Sequence, residues 1–367
     1  MSKAAELAKM GEVLTNSQLG GRRNILYNGS MICSQRGASF TSLGGTAGVY
    51  SLDRMRFGFT MNSGRFTITQ STDTPNGFAN SLKIDVTTAE SSLNAASGCA
   101  IGQFIEGQDV QQFKKGTSDA EQYTLSFHVK SNVTGTYIVE LFDFDNTRQV
   151  SKSYTIDSAN TWEKKTLTFP ADTSGAFDND NDKSLAVQWF FASGTDRTSG
   201  TLNTSWASST DANRIVGQTN LFSSTDNELY ITGMQLEVGS TATPFEHRSF
   251  GEELALCQRY YHQSGYLATT HYGGGSAVAV AFNANESGGA NNFPVTMRSA
   301  PTINIKNAAG TVGGVHRAGI GDVGATVAIN WTSNADANTK GFGGFNKTSA
   351  WASGNVLIAG FQADAEL

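Results

Sequence analysis

The segment 122–130, QYTLSFHVK, decides the fold class. Tyr123, Leu125, Phe127 and Val129 occupy every second position, and polar or small residues lie between most of them. Side chains of a β-strand alternate between the two faces of a sheet. The pattern therefore predicts a strand with one apolar face and one polar face.

The same alternation recurs before and after this segment. Further strands are predicted at 81–87, 136–144, 153–156, 161–169, 186–191 and 229–238. Turn-forming clusters of Ser, Asn, Asp and Gly separate them, and no helical pattern intervenes. Short strands at this spacing predict an all-β protein whose main domain, 23–246, is an antiparallel β-sandwich.

Composition agrees with this fold class and restricts the function. Of 367 residues, 16% are charged, 40 are Gly and 5 are Pro. The net charge of −6 offers no basic field for nucleic acid. No apolar run approaches the ~18 residues of a membrane span.

The three cysteines, Cys33, Cys99 and Cys257, are predicted to be free buried thiols, since an odd and sparse set forms no disulfide framework.

A short helix is predicted at the N-terminus, where Leu7, Met10 and Leu14 form an apolar stripe within 3–14. A single helix of this length is marginal in water, so we expect it to pack against copies of itself or a docking partner. We interpret 1–22 as an attachment segment.

The start MSKAAELAKMGEVL lacks the apolar core of a signal peptide. We therefore expect folding in a cytoplasm without export by the general route.

A second predicted helix, within 247–262, links the sandwich to a last domain. Ser249 and Glu252 form an S-x-x-E capping box, and the helix is expected to bury Leu254 and Cys257. The last domain, 263–367, is rich in Gly, Ala and Asn, with strands predicted at 277–282, 301–306, 325–331 and 356–363. Its core is thin, and we expect it to gain stability by trimerising.

Two groups of segments resemble the tail fibre proteins of tailed phages, especially phages of marine bacteria. The first group is 23–31 (RNILYNGSM), 34–37 (SQRG) and 50–54 (YSLDR), and the second is 231–239 (ITGMQLEVG), 243–248 (TPFEHR) and 257–261 (CQRYY). The segments 293–302 and 363–367 resemble the distal domains of such fibres. The middle of the chain, at 123–131, 135–137 and 161–169, resembles jelly-roll carbohydrate-binding modules.

These resemblances imply a homotrimeric, non-enzymatic virion protein that is assembled in the host cytoplasm. They imply attachment of its N-terminus to a tail or adaptor protein and adhesion of the virion to bacterial surface polysaccharide or lipopolysaccharide. Two alternatives remain. One is a structural virion component, such as a tail or capsid fibre, that binds no glycan. The other is a tailspike that degrades polysaccharide.

Glycan binding needs flat apolar rings for the sugar face, together with amide, carboxylate and guanidinium groups for the hydroxyls. Trp206 lies in a long polar loop, 196–220, which also contains Asn213 and Arg214, and the alternative for this tryptophan is packing within the loop or at a subunit interface. Trp331 and Trp351 are similar candidates in the last domain. Trp162 and Trp189 fall within predicted strands, and we assign them to the core.

The acidic residues offer weaker patterns. Asp178, Asp180 and Asp182 alternate as in a calcium loop, but Lys183 replaces the turn glycine and Trp189 stands at the twelfth position. We expect a solvated loop there, with calcium as the alternative. The last strand, 230–233, lacks the carboxylate that holds a structural calcium in many modules of the resembling type. No cofactor is expected.

Pairs of acidic side chains also raise the question of glycoside hydrolysis. Glu106 with Asp109, or Asp143 with Asp145, could serve as acid and base. A chain with 32 acidic residues offers such pairs by chance. Neither a G-x-S-x-G nor an H-E-x-x-H motif occurs, and we expect no catalytic activity.

Overall fold

A computed structural model describes residue 3 and residues 22–264, 277–281, 287–306, 315–317, 321–323, 337–343 and 353–367. The chain divides into two compact units, residues 1–250 and 251–367. Only residue 3 of the helix predicted at 3–14 is described, and the strand predicted at 325–331 lies outside the described residues. Among the described helices, none is long and apolar enough to cross a membrane.

The first unit is built almost entirely from strands. They are β1 (Ser39–Tyr50), β2 (Arg56–Ser71), β3 (Ser81–Thr88), β4 (Gly98–Glu106), β5 (Tyr123–Ser131), β6 (Gly135–Asp143), β7 (Arg148–Ile156), β8 (Glu163–Phe169), β9 (Lys183–Ser193), β10 (Ala207–Ser208) and β11 (Glu228–Val238). A single turn of helix, α1 (Thr195–Thr198), follows β9. Short 3₁₀ turns occupy Gly107–Asp109, Gln111–Phe113, Asp211–Asn213 and Leu221–Ser223.

The long strand β2 belongs to two sheets. Its first part, Arg56 to Thr60, pairs with β4, and its last part, Arg65 to Ser71, pairs with β3. The first sheet therefore has the order β10-β7-β6-β9-β4-β2, and the second has the order β2-β3-β11-β5-β8. β1 forms a hairpin with β2 along nearly its whole length. All these pairings are antiparallel.

Successive strands cross between the two sheets rather than filling one sheet first. β3, β5, β8 and β11 belong to the second sheet, whereas β4, β6, β7 and β9 belong to the first. This interleaving is the topology of a jelly-roll sandwich. The predicted all-β fold with an antiparallel jelly-roll sandwich is confirmed.

The core lies between the sheets. Phe127 of β5 stands 5.0 Å from the ring of Tyr154 in β7 and 5.8 Å from that of Trp189 in β9, edge to face in both cases. Edge-to-face aromatic contacts add to the stabilisation that burial provides. Trp189 is completely buried, as predicted, and Cys33 and Cys99 are free and buried. The assignment of Trp162 to the core was wrong: it lies just before the edge strand β8, is only half-buried, and its indole N–H donates to the carboxylate of the exposed Asp73 at 3.1 Å.

The two ends of the first unit are joined at one seam. The side chain of Asn24 donates to the carbonyl of Met234 at 3.0 Å and accepts from the backbone of Leu26 and Leu236. The backbone N–H of Asn24 donates to the carboxylate of Glu246 at 2.6 Å. The segments 23–31 and 231–239, far apart in sequence, are therefore neighbours.

The second unit contains the helix α2 (Phe250–Gln258), which begins one residue before the unit boundary, close to the predicted start. Its Cys257 is buried as expected, whereas Leu254 is only half-buried. Its strands are β12 (Tyr261–Gln263), β13 (Ala277–Ala281), β14 (Ser287–Gly288), β15 (Asn291–Asn292), β16 (Thr302–Lys306), β17 (Val315–Arg317), β18 (Gly321–Val323), β19 (Ala337–Asn338), β20 (Gly341–Phe342) and β21 (Val356–Asp364). β21 is the central strand, since β12, β13, β16 and β17 all pair with it. A small core forms around Phe293, Phe342 and Phe361.

Candidate binding site

A cleft of about 470 Å³ lies on the outer face of the first sheet. Its floor uses outward positions of β2, β4 and β9, while the alternating residues Phe57, Ile101 and Trp189 point into the core. Gly58 and Gly98 are among the outward residues of the floor. Because glycine has no side chain, the surface of the sheet is recessed there.

Three arginines from different elements line this cleft. Arg56 opens β2, Arg197 lies in α1, and Arg214 follows the 3₁₀ turn at Asp211–Asn213. The guanidinium of Arg56 lies over Gly48, where any Cβ atom would collide with it. Nη1 of Arg197 lies against Gly98, 3.3 Å from where a Cβ would stand. Small residues thus allow the arginine side chains to lie along the sheet.

Arg214 is held by a buried carboxylate. Glu140 of β6 is fully buried and accepts two hydrogen bonds from the guanidinium of Arg214, both at 2.7 Å. Gln188 donates to the same carboxylate at 3.3 Å. Burial acts to raise the pKa of Glu140, and the hydrogen bonds and charge of Arg214 oppose that shift. A bidentate pair of this kind fixes the orientation of the guanidinium plane.

Arg56 and Arg197 are held differently. The Cζ atom of Arg56 stands 5.0 Å from the ring centroid of Phe104, and Arg197 donates to the carbonyl of Ala96 at 3.3 Å. In the part of the chain that the structure describes, neither guanidinium has a carboxylate partner. The cleft is therefore rich in hydrogen-bond donors and positively charged, although the whole chain carries a net charge of −6.

The tryptophan of the predicted loop lies elsewhere. Trp206 packs against the main core, and its indole N–H donates to the carbonyl of Pro170 at 2.9 Å. It is absent from the cleft lining. Asn213 uses its side-chain oxygen to accept from the backbone of Thr201, inside the same loop. Of the three loop candidates the structure brings only Arg214 into the cleft, and ligand contacts by the other two stay predictions.

The remaining predicted site residues cannot be placed. Trp331 and Trp351, predicted to contact carbohydrate, lie outside the described residues. The same holds for the attachment residues Leu7, Met10 and Leu14.

Trp206 and Asp143, the second of which was considered as a catalytic acid, both contact a buried lysine, Lys115. The ammonium of Lys115 is 2.6 Å from Asp143 and 3.1 Å from Asp172. It also donates to the carbonyls of Ser174 and Gly175, at 2.9 and 2.6 Å. Its Nζ stands 5.3 Å from the ring centroid of Trp206. Asp143 thus balances a buried charge and lies away from the cleft.

The other acidic candidates also lie away from the cleft. Glu106 is buried and accepts from the side chain of Gln108, and Asp109 accepts from the hydroxyl of Tyr27. Asp145 accepts from the backbone of Asp178 at 2.9 Å.

The predicted calcium loop is exposed. The backbone carbonyls of Asp180 and Asp182 accept hydrogen bonds from the backbone N–H groups of Gln108 and Gly107, in the 3₁₀ turn at Gly107–Asp109. The carboxylate of Asp180 accepts from the backbone of Asp182 at 2.9 Å. The solvated loop, with calcium as the alternative, stays a prediction.

Sequence reasoning missed Arg56, Arg197 and Gln188 as site residues. Arg197 lies within the predicted polar loop, so its position was a usable signal. Gln188 is an outward residue of the predicted strand 186–191, beside the inward Trp189. No feature of the sequence marked Arg56 as a site residue, because the strand that contains it was not predicted.

Comparisons with known proteins assign no family. No family model matches the chain, and no curated protein matches it either. Among solved structures, a putative sugar binding protein from Bacteroides thetaiotaomicron shares 13% identity with a TM-score of 0.32, covering 59% of this chain and 100% of that one. A family 11 carbohydrate-binding module from Clostridium thermocellum shares 11% identity with a TM-score of 0.28, covering 56% and 99%.

A phage protein is also among the similar structures. It is the enzymatically active domain of tailspike protein 4 from bacteriophage CBA120, with 14% identity and a TM-score of 0.29. The match covers 59% of this chain and 21% of the tailspike domain, so this chain spans about a fifth of it. These likenesses are distant, and the jelly-roll architecture rests on the strand order itself.

Proposed function

We propose that this chain binds carbohydrate in the cleft on the first sheet. The observation that carries the proposal is the open, donor-lined cleft over a glycine-rich floor. Sugar hydroxyls are hydrogen-bond acceptors as well as donors, and the guanidinium of Arg214 and the amide of Gln188 offer several N–H groups. Both side chains are held by Glu140, which lowers the entropy lost on binding.

We further propose that the protein is a phage tail fibre that attaches the virion to host surface glycan. The support is the resemblance of the two groups of segments that bracket 23–261, not the distant structural likenesses. In this proposal the N-terminal segment docks to a tail or adaptor protein, the fibre is a homotrimer and the binding is reversible adhesion without catalysis. Several weak sites that engage together would raise overall avidity by ~10²–10⁴.

Binding to intact bacteria tests the proposal. The purified, fluorescently labelled chain would be applied to a panel of strains, with and without periodate oxidation of their surface glycans. We expect strain-specific staining that periodate abolishes. Gln188→Ala should weaken the staining, because it removes a donor that lines the cleft.

Two other outcomes would redirect the proposal. Failure to stain any strain that the phage infects would contradict receptor binding and leave a structural virion role. Release of reducing sugar from host polysaccharide would contradict the non-catalytic role.

A further inference from the structure

The charge in the cleft is unbalanced. Arg56, Arg197 and Arg214 all line it, and among its described lining residues none is Asp or Glu. Glu140 lies beneath the surface and neutralises Arg214 through a bidentate pair, and the exposed carboxylate of Asp211 also pairs with Arg214 at 3.1 Å. Arg56 and Arg197 therefore form no ion pair with a described carboxylate, although Arg197 lies close enough to Glu140 for its charge to lower the pKa of that carboxyl.

The aromatic surface in the cleft is small. Phe59 and Phe190 are the aromatic residues of the described lining, and they are only 5% and 6% exposed. Phe190 is packed into a small apolar cluster with Ala100, Ile138 and Ile215. A neutral sugar that relies on stacking against an open ring would find little contact surface there. Recognition in this cleft must come mainly from hydrogen bonds and charge.

Guanidinium groups suit one ligand chemistry well. The fork of N–H donors matches the paired oxygens of a carboxylate, sulfate or phosphate, and charge-assisted hydrogen bonds are about twice as strong as neutral ones. Arg56 and Arg197 are half-buried, so less water screens their charge than on an open surface.

We propose that the glycan bound in this cleft is acidic, with an oxyanion of the sugar held by Arg197 and Arg56. The inference rests on the proposed function, because it names the ligand class of that same cleft. Arg214, already neutralised by Glu140, contributes hydrogen bonds to sugar hydroxyls rather than net charge. The carboxylate of a uronic acid and a sulfate or phosphate ester share this chemistry.

Matched pairs of oligosaccharides separate the possible sources of the charge. Galacturonic acid oligomers would be compared with their carboxyl-reduced counterparts, and a sulfated galactan with its desulfated form, by titration calorimetry on the full chain. We expect binding to at least one acidic member and roughly 10- to 100-fold weaker binding to its neutral counterpart. The pair that shows the larger difference identifies the oxyanion.

Single substitutions assign the effect to the cleft. Arg197→Gln and Arg56→Gln should each weaken binding of the acidic member roughly 10-fold or more while leaving its neutral counterpart little changed. Arg65→Gln is the matched control, because Arg65 is also a half-buried arginine without a carboxylate partner among the described residues, but it lies outside the cleft. It should leave binding unchanged.

The outcomes distinguish the inference from the function on which it rests. Equal binding of neutral and acidic members, insensitive to Arg197→Gln and Arg56→Gln, would overturn the inference while carbohydrate binding stands. Equal weakening by Arg65→Gln would overturn it too, since the effect would then be one of overall charge. No binding of any member, together with no staining of bacteria, would overturn the proposed function itself.

Discussion

Lys115 shows how one residue organises several loops. Its ammonium is completely buried and contacts two carboxylates and two backbone carbonyls. The carbonyls belong to Ser174 and Gly175, and Asp143 ends β6. Removing one partner of a buried charged cluster leaves the others uncompensated, which costs more than the interaction itself contributes.

Replacing this lysine should therefore destabilise the first unit strongly. Lys115→Met keeps much of the apolar chain but removes the charge, and we expect the free energy of unfolding to fall by about 3–5 kcal/mol. Urea unfolding followed by tryptophan fluorescence measures the change. Lys114→Met is the matched control, since Lys114 is exposed and pairs with Glu121 on the surface. Similar urea midpoints for the two variants would contradict this account.

The same cluster predicts a dependence on pH. Although burial acts to raise it, the hydrogen bond from Arg148 and the charge of Lys115 hold the pKa of Asp172 below its ordinary value of 3.8. A depressed carboxylate pKa contributes stability above the unfolded-state value, and this stability is lost as pH falls through the folded-state value. The difference in unfolding free energy between the wild type and Asp172→Asn should be constant near neutrality and shrink below about pH 4.

Urea titrations at a series of pH values measure this difference. Asp119→Asn serves as the control, because Asp119 is exposed. A difference that stays constant down to acid pH would show that Asp172 acts through packing alone.

At the residue scale, sequence reasoning found Arg214 but not the cleft to which it belongs. Arg214 stood out because it lies in a long polar loop, and the loop does approach the sheet. Trp206 stood out for the same reason, yet its indole packs inward on Lys115 and Pro170. Local polarity indicates a loop but does not reveal which of its side chains turns toward the protein.

At the element scale, strands with a regular apolar alternation were predictable, and strands with an interrupted or glycine-rich pattern were not. β3, β5, β6 and β11 lie within one or two residues of their predicted bounds. β2 escaped prediction because its apolar residues change phase: Phe57 and Phe59 are inward at odd positions, whereas Phe66 and Ile68 are inward at even ones. The change follows from the irregular pairing with β1 and β3 near the middle of the strand. β4 escaped because glycine is depleted in strands, although its Gly98 forms part of the floor of the cleft.

Glu90 stabilises the place where β2 passes from one sheet to the other. Its carboxylate accepts from the backbone N–H groups of Ser63 and Gly64, at 2.8 and 2.7 Å, and from the hydroxyl of Ser97 at 3.2 Å. Glu90 is only 4% exposed and Gly64 is buried, whereas Ser63 is exposed, so water can replace this acceptor more easily at Ser63 than at Gly64.

Exchanging this carboxylate for an amide tests its contribution. Glu90→Gln weakens the acceptor and can present an N–H₂ group to the backbone donors, so we expect a loss of about 1–3 kcal/mol of unfolding free energy. Thermal and urea unfolding measure it. Glu121→Gln, at an exposed carboxylate that pairs with Lys114, should leave the stability unchanged. An unchanged stability of Glu90→Gln would show that the β2 crossing does not depend on this contact.

At the scale of the whole molecule, the proposed trimer predicts a mass three times that of the 39.0 kDa chain. The second unit offers a surface that association would cover: Val278, Val280 and Val356 are 46%, 42% and 39% exposed on the paired strands β13 and β21. Burying these valine side chains between copies of the chain would stabilise the trimer, because it removes apolar surface from water. Light scattering after size exclusion gives the mass directly.

Val280→Asp tests whether this surface associates. The added charge should dissociate a trimer that buries the position, whereas Thr302→Asp at another exposed strand residue should not. A single-chain mass for the unmodified protein would contradict the trimer. A trimer that tolerates Val280→Asp would place the contact on another surface.

The seam at Asn24 also sets the timing of folding during synthesis. Asn24 and Met234 are bonded partners 210 residues apart, and β3 pairs with β11 across a shorter interval, with Leu82 opposite Ile231. At roughly 5–20 residues per second, a ribosome needs roughly 10–40 s to deliver the last strand after the first partner has emerged. Until β11 has been synthesised, the apolar faces of β2 and β3 are not fully buried. A chain interrupted by a premature stop before β11 is left with an unclosed half-sandwich, a species prone to aggregation.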